Sequence, residues 1–247
     1  MKHPHIASPT DGPARKEAHL ISPQPPTKRH PYDQWSPDAR ALDLAGDKWT
    51  LLIVRDLAGG PRRFVELQRT LPGISTEQMR SRLNRMVADD LLTRSRYREV
   101  PPRVDYELTE RGRALLPVVG ALARWGYQWA WGAPRPGENV DVGAILRAAT
   151  GLAMPRALDG TFEVAVTHAD RGTFTYTLTI ADGVLEYAER PADDADARIT
   201  GTERAYVELF SDPDSDADLE LSGDERLAES LLSVLREGAR RTAEAGV

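Results

Sequence analysis

Cysteine is absent from the 247 residues. That absence excludes a disulfide framework, a thiolate zinc site, a cysteine nucleophile and a thiol redox switch. No stretch approaches the roughly 18 consecutive apolar residues that a membrane span requires. The N-terminus lacks the apolar core of a secretory signal, so a cytoplasmic location with no membrane partner is expected. Lysine is scarce, with 4 residues against 28 arginines, which fits a GC-rich genome and carries no functional meaning. Large apolar side chains are few in residues 1–31, which hold seven prolines and four histidines. These residues are expected to form a disordered tail. The histidines (His3, His5, His19 and His30) are scattered without metal-ligand spacing, and no metal or cofactor is expected.

What is present is unevenly distributed. The formal charge of -6 divides into +3 for residues 1–30, +3 for 31–131 and -12 for 132–247. One half can therefore approach a polyanion while the other serves a different purpose. The length accommodates two domains, each with its own core. The expected division is a tail over 1–31, a domain over 32–131, a linker over 132–140 rich in Gly and Pro, and a second domain over 141–247.

Local signals place the elements. Ser36-Pro37-Asp38 opens a helix, with a capping hydroxyl, a proline suited to the first turn and an acid at the positive helix end. Gly46 stops it. Trp49 to Leu57 reads as a second, buried helix, broken at Gly59-Gly60-Pro61. Phe64, Leu67 and Leu71 mark a third. Ser75 and Gln78 form a capping box for a fourth over 75–88, whose apolar stripe is Met79, Leu83 and Met86. Residues 92–98 alternate, as do 103–108 with Val104, Tyr106 and Leu108. With Val100-Pro101-Pro102 between them, the two runs read as a β-hairpin. Thr109 caps a long fifth helix expected to run to about Trp131. Beyond the linker, a helix is expected near 141–152, strands at 161–168, 173–180, 183–188 and about 197–200, and a helix from Thr202 to Phe210. Ser222 with Glu225 predicts a cap for the last helix.

Helix, helix, capped helix, hairpin, helix is the order of a winged helix-turn-helix, and the expected class is α+β. A major groove admits one α-helix that projects polar and cationic groups while its back packs on a core. Ser75, Thr76, Gln78, Ser81, Arg82 and Arg85 of the fourth helix are the candidate contacts. Arg94, Arg96, Arg98 and Arg103 of the hairpin would reach phosphates or a minor groove. An arginine-rich amphipathic helix can equally be a solvated surface; the order of elements favours double-stranded DNA. Residues 36–126, from SPDARALDLAGDKWTLLIVRDL through GPRRFVELQRTLPGIS to YREVPPRVDYELTERGRALLPV, resemble the HxlR family of bacterial regulators. The resemblance implies a homodimer on palindromic operators, with 75–88 as recognition helix and the hairpin as wing, and no enzymatic activity. Sensors of this family that respond to oxidants generally have a cysteine just before the first helix, where this chain has Ser36. The signal is therefore expected to come from elsewhere.

Residues 141–247 resemble the sterol carrier protein type 2 fold more weakly, through Ala197-Arg198-Ile199-Thr200-Gly201 and Leu219-Glu220-Leu221-Ser222-Gly223-Asp224. That resemblance implies an α/β sandwich-like domain around an apolar cavity, with Phe162, Phe174, Tyr176, Tyr187, Tyr206 and Phe210 as candidate lining residues for a small apolar ligand. Ordinary core is the competing reading for each. Three of the five tryptophans fall in 125–131, which suggests an interface first, with an interdomain contact or a pocket wall as the alternatives. The expected function is a ligand-responsive transcriptional regulator, with a repressor as the default. The competing readings are a lipid carrier with an autoregulatory DNA domain, an enzyme fused to a regulator domain, and a second half that only supports dimerisation.

Overall fold

The computed structural model describes residues 19–20, 31–97, 103–212 and 215–244, with the side chains of the last helix described through Arg236. Most of the expected tail, and Arg98 of the hairpin, lie outside the described residues.

The N-terminal half begins with α1 (Pro37–Ala45), where the Ser36 hydroxyl accepts a 3.3 Å hydrogen bond from the Ala39 N–H. Helices α2 (Thr50–Asp56), α3 (Phe64–Thr70) and α4 (Thr76–Ala88) follow. Strands β3 (Leu92–Tyr97) and β4 (Arg103–Leu108) form the antiparallel hairpin in the register Leu92↔Leu108 to Tyr97↔Arg103. Two short strands complete this sheet. β2 (Arg62–Arg63) pairs with β4, and β1 (His19–Leu20) pairs with β3, so one segment of the tail expected to be disordered is an edge strand of the wing. Ile53, Val54, Leu67, Met79, Leu83, Met86 and Leu108 are buried in one cluster beneath α4.

The fifth helix, expected to be continuous, is two. α5 (Glu110–Arg113) and α6 (Leu116–Trp129) are separated at Ala114-Leu115. Pro117 in the first turn of α6 explains the break, because it has no N–H to bond the preceding turn and its ring crowds that turn.

The C-terminal half comprises α7 (Val142–Ala149), β5 (Gly160–His168), β6 (Gly172–Ala181), β7 (Val184–Ala188), β8 (Ala197–Thr202), α8 (Glu203–Ser211), β9 (Leu219–Gly223) and α9 (Glu225–Glu244). The sheet order is β7-β6-β5-β8-β9, antiparallel except for the parallel pair β5 and β8. Its strands alternate. Phe162, Val164, Val166, Leu178, Ile180 and Ile199 point into the core, whereas the threonines of β6 stand on the other, polar face, as expected for a sheet covered on one side. The residues around Ser222 require a correction. Ser222 lies in β9 opposite Arg198, and the last helix is capped instead by Asp224, whose carboxylate accepts from the Leu227 N–H at 3.0 Å. The alternation of Leu219 and Leu221 outweighs the capping signal. Among the described residues no helix is long and apolar enough to cross a membrane.

The two halves touch closely. A Cβ placed on Gly120 of α6 would fall 2.2 Å from the Gly151 carbonyl oxygen, and one on Gly151 would fall 2.0 Å from that of Leu116. These backbones approach each other only because both residues are glycine.

Candidate nucleic-acid interface and interdomain seam

Helix α4 is held at its start by the expected capping box. The Ser75 hydroxyl accepts from the Gln78 N–H and the Gln78 side-chain oxygen accepts from the Ser75 N–H, both at 3.2 Å. Such a cap stabilises a helix by about 1 kcal/mol. It also occupies Gln78, and the Thr76 hydroxyl accepts from the Gln68 amide at 2.9 Å. With Met79, Leu83 and Met86 buried, the 3.6-residue period turns Glu77, Ser81 and Asn84 outward.

The six candidate contacts on α4 do not share one environment. Ser75, Thr76 and Gln78 are exposed at the helix start. Ser81 and Arg85 are half-buried. The Arg82 side chain is only 18% exposed and pairs with Asp47 at 2.9 Å. Asp47 in turn accepts from the N–H groups of Trp49 and Thr50 at 2.9 and 3.1 Å, so Arg82 ties α4 to the start of α2. Arg80, outside those six candidates, is the cation of α4 that faces solvent. It is 62% exposed, with Glu77 one turn away at 3.6 Å.

The wing arginines also divide. Arg94 donates to the Asn84 side-chain oxygen at 3.0 Å, fastening the wing to α4. Arg103 lies against Asp105, with its Nε 2.8 Å from both carboxylate oxygens, and over the Tyr97 ring at 5.3 Å. Arg96 is exposed.

The six candidate ligand contacts of the C-terminal half likewise do not form one pocket. Phe162 is fully buried in the core. Phe174 is partly exposed and meets His168 edge-on at 5.1 Å. Tyr176 and Tyr187 stack at 5.7 Å in the core, and burial pushes the Tyr176 hydroxyl up to about 12. Tyr206 and Phe210 stack at 6.5 Å and are the two of the six that reach a cleft between the halves.

Beside that cleft is a buried ionic cluster that the sequence did not disclose. Arg147 of α7, 1% exposed, lies 3.2 Å from Asp56 of α2, 2.5 Å from Asp141 and 2.8 Å from Glu189. The Tyr187 hydroxyl donates to Glu189 at 2.8 Å, and Arg62 of β2 also pairs with Glu189. Asp56 further accepts from Thr70 at 2.7 Å. Burial works against the Arg147 charge, but the surrounding carboxylates outweigh it and hold the guanidinium more firmly protonated than usual. Among the described residues no group of three or more His, Asp or Glu is arranged to hold a metal ion.

A capped helix with a polar outward face, backed by a helical core and flanked by a two-stranded wing, defines a winged helix-turn-helix. Residues 44–133 match the model of the HxlR-like helix-turn-helix family. An uncharacterized HTH-type transcriptional regulator of Synechocystis is 40% identical over 93 residues, covering 38% of this chain and 69% of that protein. The regulator YvaP of Bacillus subtilis is 33% identical over 90 residues, covering 36% of this chain and 83% of its own. A regulator of Mycobacterium tuberculosis is 43% identical over 97 residues, covering 39% of this chain and 59% of its own. The chain belongs to the HxlR-like family and is a DNA-binding transcriptional regulator. Residues 147–241 match a different model, that of the alkyl sulfatase C-terminal region.

Proposed function

We propose that the protein is a homodimeric, operator-specific repressor that reads DNA with α4 and the wing, and whose C-terminal half senses a small, largely apolar molecule. The observation that carries the DNA reading is the outward polar face of α4, bordered by Arg80 and flanked by the exposed Arg96 of the wing. Base readout falls to Ser81, Asn84, Arg80 and Arg85, with Ser75, Thr76 and Gln78 near the helix start positioned for phosphate. Arg82 and Arg94 act by holding α4 in place through Asp47 and Asn84. Arg103 is positioned at the wing by Asp105, and Arg98 is assigned to phosphate from its place in the hairpin sequence.

Dimerisation is supported by Val118, Leu122, Trp125 and Trp129, all exposed and spaced to form a single stripe along α6. An apolar stripe of this kind on a soluble protein marks an interface. A two-fold dimer would present its recognition helices about 34 Å apart, one turn of duplex. The sensing role is supported by the -12 charge of residues 132–247, which makes that half a poor DNA binder, and by its extensive seam with the DNA-reading half. We read this half as a sterol-carrier-like sandwich without a catalytic role.

Footprinting on the protein's own genome, with light scattering of the full chain, tests the core of this reading. Protected palindromes spaced by one helical turn and a mass of twice the chain are expected. A monomer at micromolar concentration with no protected site overturns it.

A further inference from the structure

A cleft of about 930 Å³ opens between the two halves beside their contact, a volume in the range of sites that hold drug-sized molecules. Trp49, Leu52 and Leu71 wall it from the DNA-reading half, and Ile145, Tyr206 and Phe210 from the C-terminal half. Tyr127 and Trp131 add a T-shaped aromatic pair at 5.2 Å, and the Trp131 indole N–H is directed away to the Phe210 carbonyl at 2.8 Å. The charges at its edge are largely neutralised within the protein. Arg55 pairs with Asp56, Arg135 with Glu138 and Asp141 with Arg147. Lys48 lies over the Trp49 ring at 4.8 Å, and among the described residues no carboxylate pairs with it.

Gly126 supplies a second, independent observation. It lies in α6 and faces the cleft, and a Cβ added there would meet nothing within 4 Å. Glycine inside a helix costs stability. At Gly120 the close approach of Gly151 explains that cost, whereas at Gly126 what glycine preserves is open space.

We propose that this cleft is the effector site and that it takes a flat, largely apolar molecule bearing one acidic group, the body stacked among the aromatic walls and the acid at Lys48. This inference rests on the regulator reading above and gives it a location. The cleft reaches the turn that carries α4. Leu71 and Pro72 line it directly, and Thr70 bonds Asp56 of the buried cluster. A ligand wedged between the halves therefore bears on the connection between α3 and the recognition helix.

The probe is 1-anilinonaphthalene-8-sulfonate, an aromatic body with one anionic group, titrated into the full-length protein by fluorescence. Gly126→Leu, which raises helix propensity, and Val207→Trp, at a half-buried position on the cleft wall, fill the space from opposite sides. Circular dichroism reports whether each variant is folded. The expected result is one saturable site per chain, weakened at least about tenfold by either filling variant and about threefold by Lys48→Gln. Saturating probe is expected to shift the affinity of the parent for its footprinted operator by about tenfold and to leave the filled variants unmoved. Folded Gly126→Leu and Val207→Trp proteins that bind the probe like the parent overturn the site. Saturation of the cleft with no change in operator affinity overturns its regulatory role. A parent that binds no duplex, yet loses the probe in the filled variants, supports the cleft as a binding site and overturns the regulator reading alone.

Discussion

Arginine is used in two opposite ways, at the seam and on the DNA face. At the seam, Arg147 is 1% exposed and meets three carboxylates and a tyrosine hydroxyl. On α4, Arg80 is 62% exposed with one distant acid beside it, and Arg96 of the wing is exposed. Removing a charge from water costs several kcal/mol, so a buried arginine persists only where the protein supplies its counterions. A surface pair is worth about 0–1 kcal/mol, so a phosphate can displace the partner at little cost. The tightly matched arginines therefore mark architecture, and the loosely held ones mark where a polyanion can dock.

The largest effect that would break this contrast is expected from Arg147→Met. It removes the cation that Asp56, Asp141 and Glu189 share, leaving Asp56 to Arg55 and Glu189 to Arg62, and a loss of about 3 kcal/mol is expected in urea unfolding; a loss below about 1 kcal/mol would show that the cluster is not a structural joint. Gly151→Ala comes next. Its Cβ would meet the Leu116 carbonyl, and overpacking of this kind costs about 1–3 kcal/mol, read as a lower Tm. On the other side of the comparison, Arg80→Ala is expected to leave Tm unchanged and to cost about 1–3 kcal/mol in operator affinity. Arg82→Ala should lower Tm as well, because Asp47 loses its partner; equal effects of the two on Tm would erase the distinction. Arg96→Ala should weaken all duplexes alike and reduce the salt slope by about one.

The smallest effect is one of pH. Burial of Glu189 tends to raise its carboxyl, but Arg62, the Tyr187 hydroxyl and Arg147 outweigh burial and hold it below its ordinary value of 4.5. A carboxyl depressed in the folded state contributes stability above the unfolded value, and this is lost as pH falls through the folded one. Tm should therefore decline below pH 4.5, and less steeply in Glu189→Gln. An identical decline in that variant would remove Glu189 as a source.

What was legible in the sequence was what local chemistry determines. Ser36 and Ser75 announce their helices, Met79, Leu83 and Met86 declare the buried side of α4, and the alternation of 103–108 gives a strand. What was not legible depends on partners far away in the chain. Arg147 and Asp56 are 91 residues apart, and nothing near either predicts the pair. The helical period places Arg82 near the surface, whereas Asp47, 35 positions earlier, draws it in. Ser222 fitted a capping pattern, yet pairing of β9 with β8 took precedence. The aromatic residues of the C-terminal half suggest a cavity of its own, yet Phe162 and Tyr176 are core, and the cleft is lined by residues of both halves.

Helix α6 has no side left over. Val119 packs into the N-terminal core, Gly120 against Gly151, Tyr127 toward the cleft, and the stripe from Val118 to Trp129 outward. Arg124 is its single charged residue. A helix so uniformly apolar resembles the interior of a larger protein, and it depends on its neighbours to stay in solution. Cutting the chain at the linker, the natural place to excise a DNA-binding fragment, would bare the glycine and cleft sides of α6 together. The fragment would then be prone to clumping, and its solubility would be governed by this one helix rather than by the DNA-reading surface it was cut to isolate.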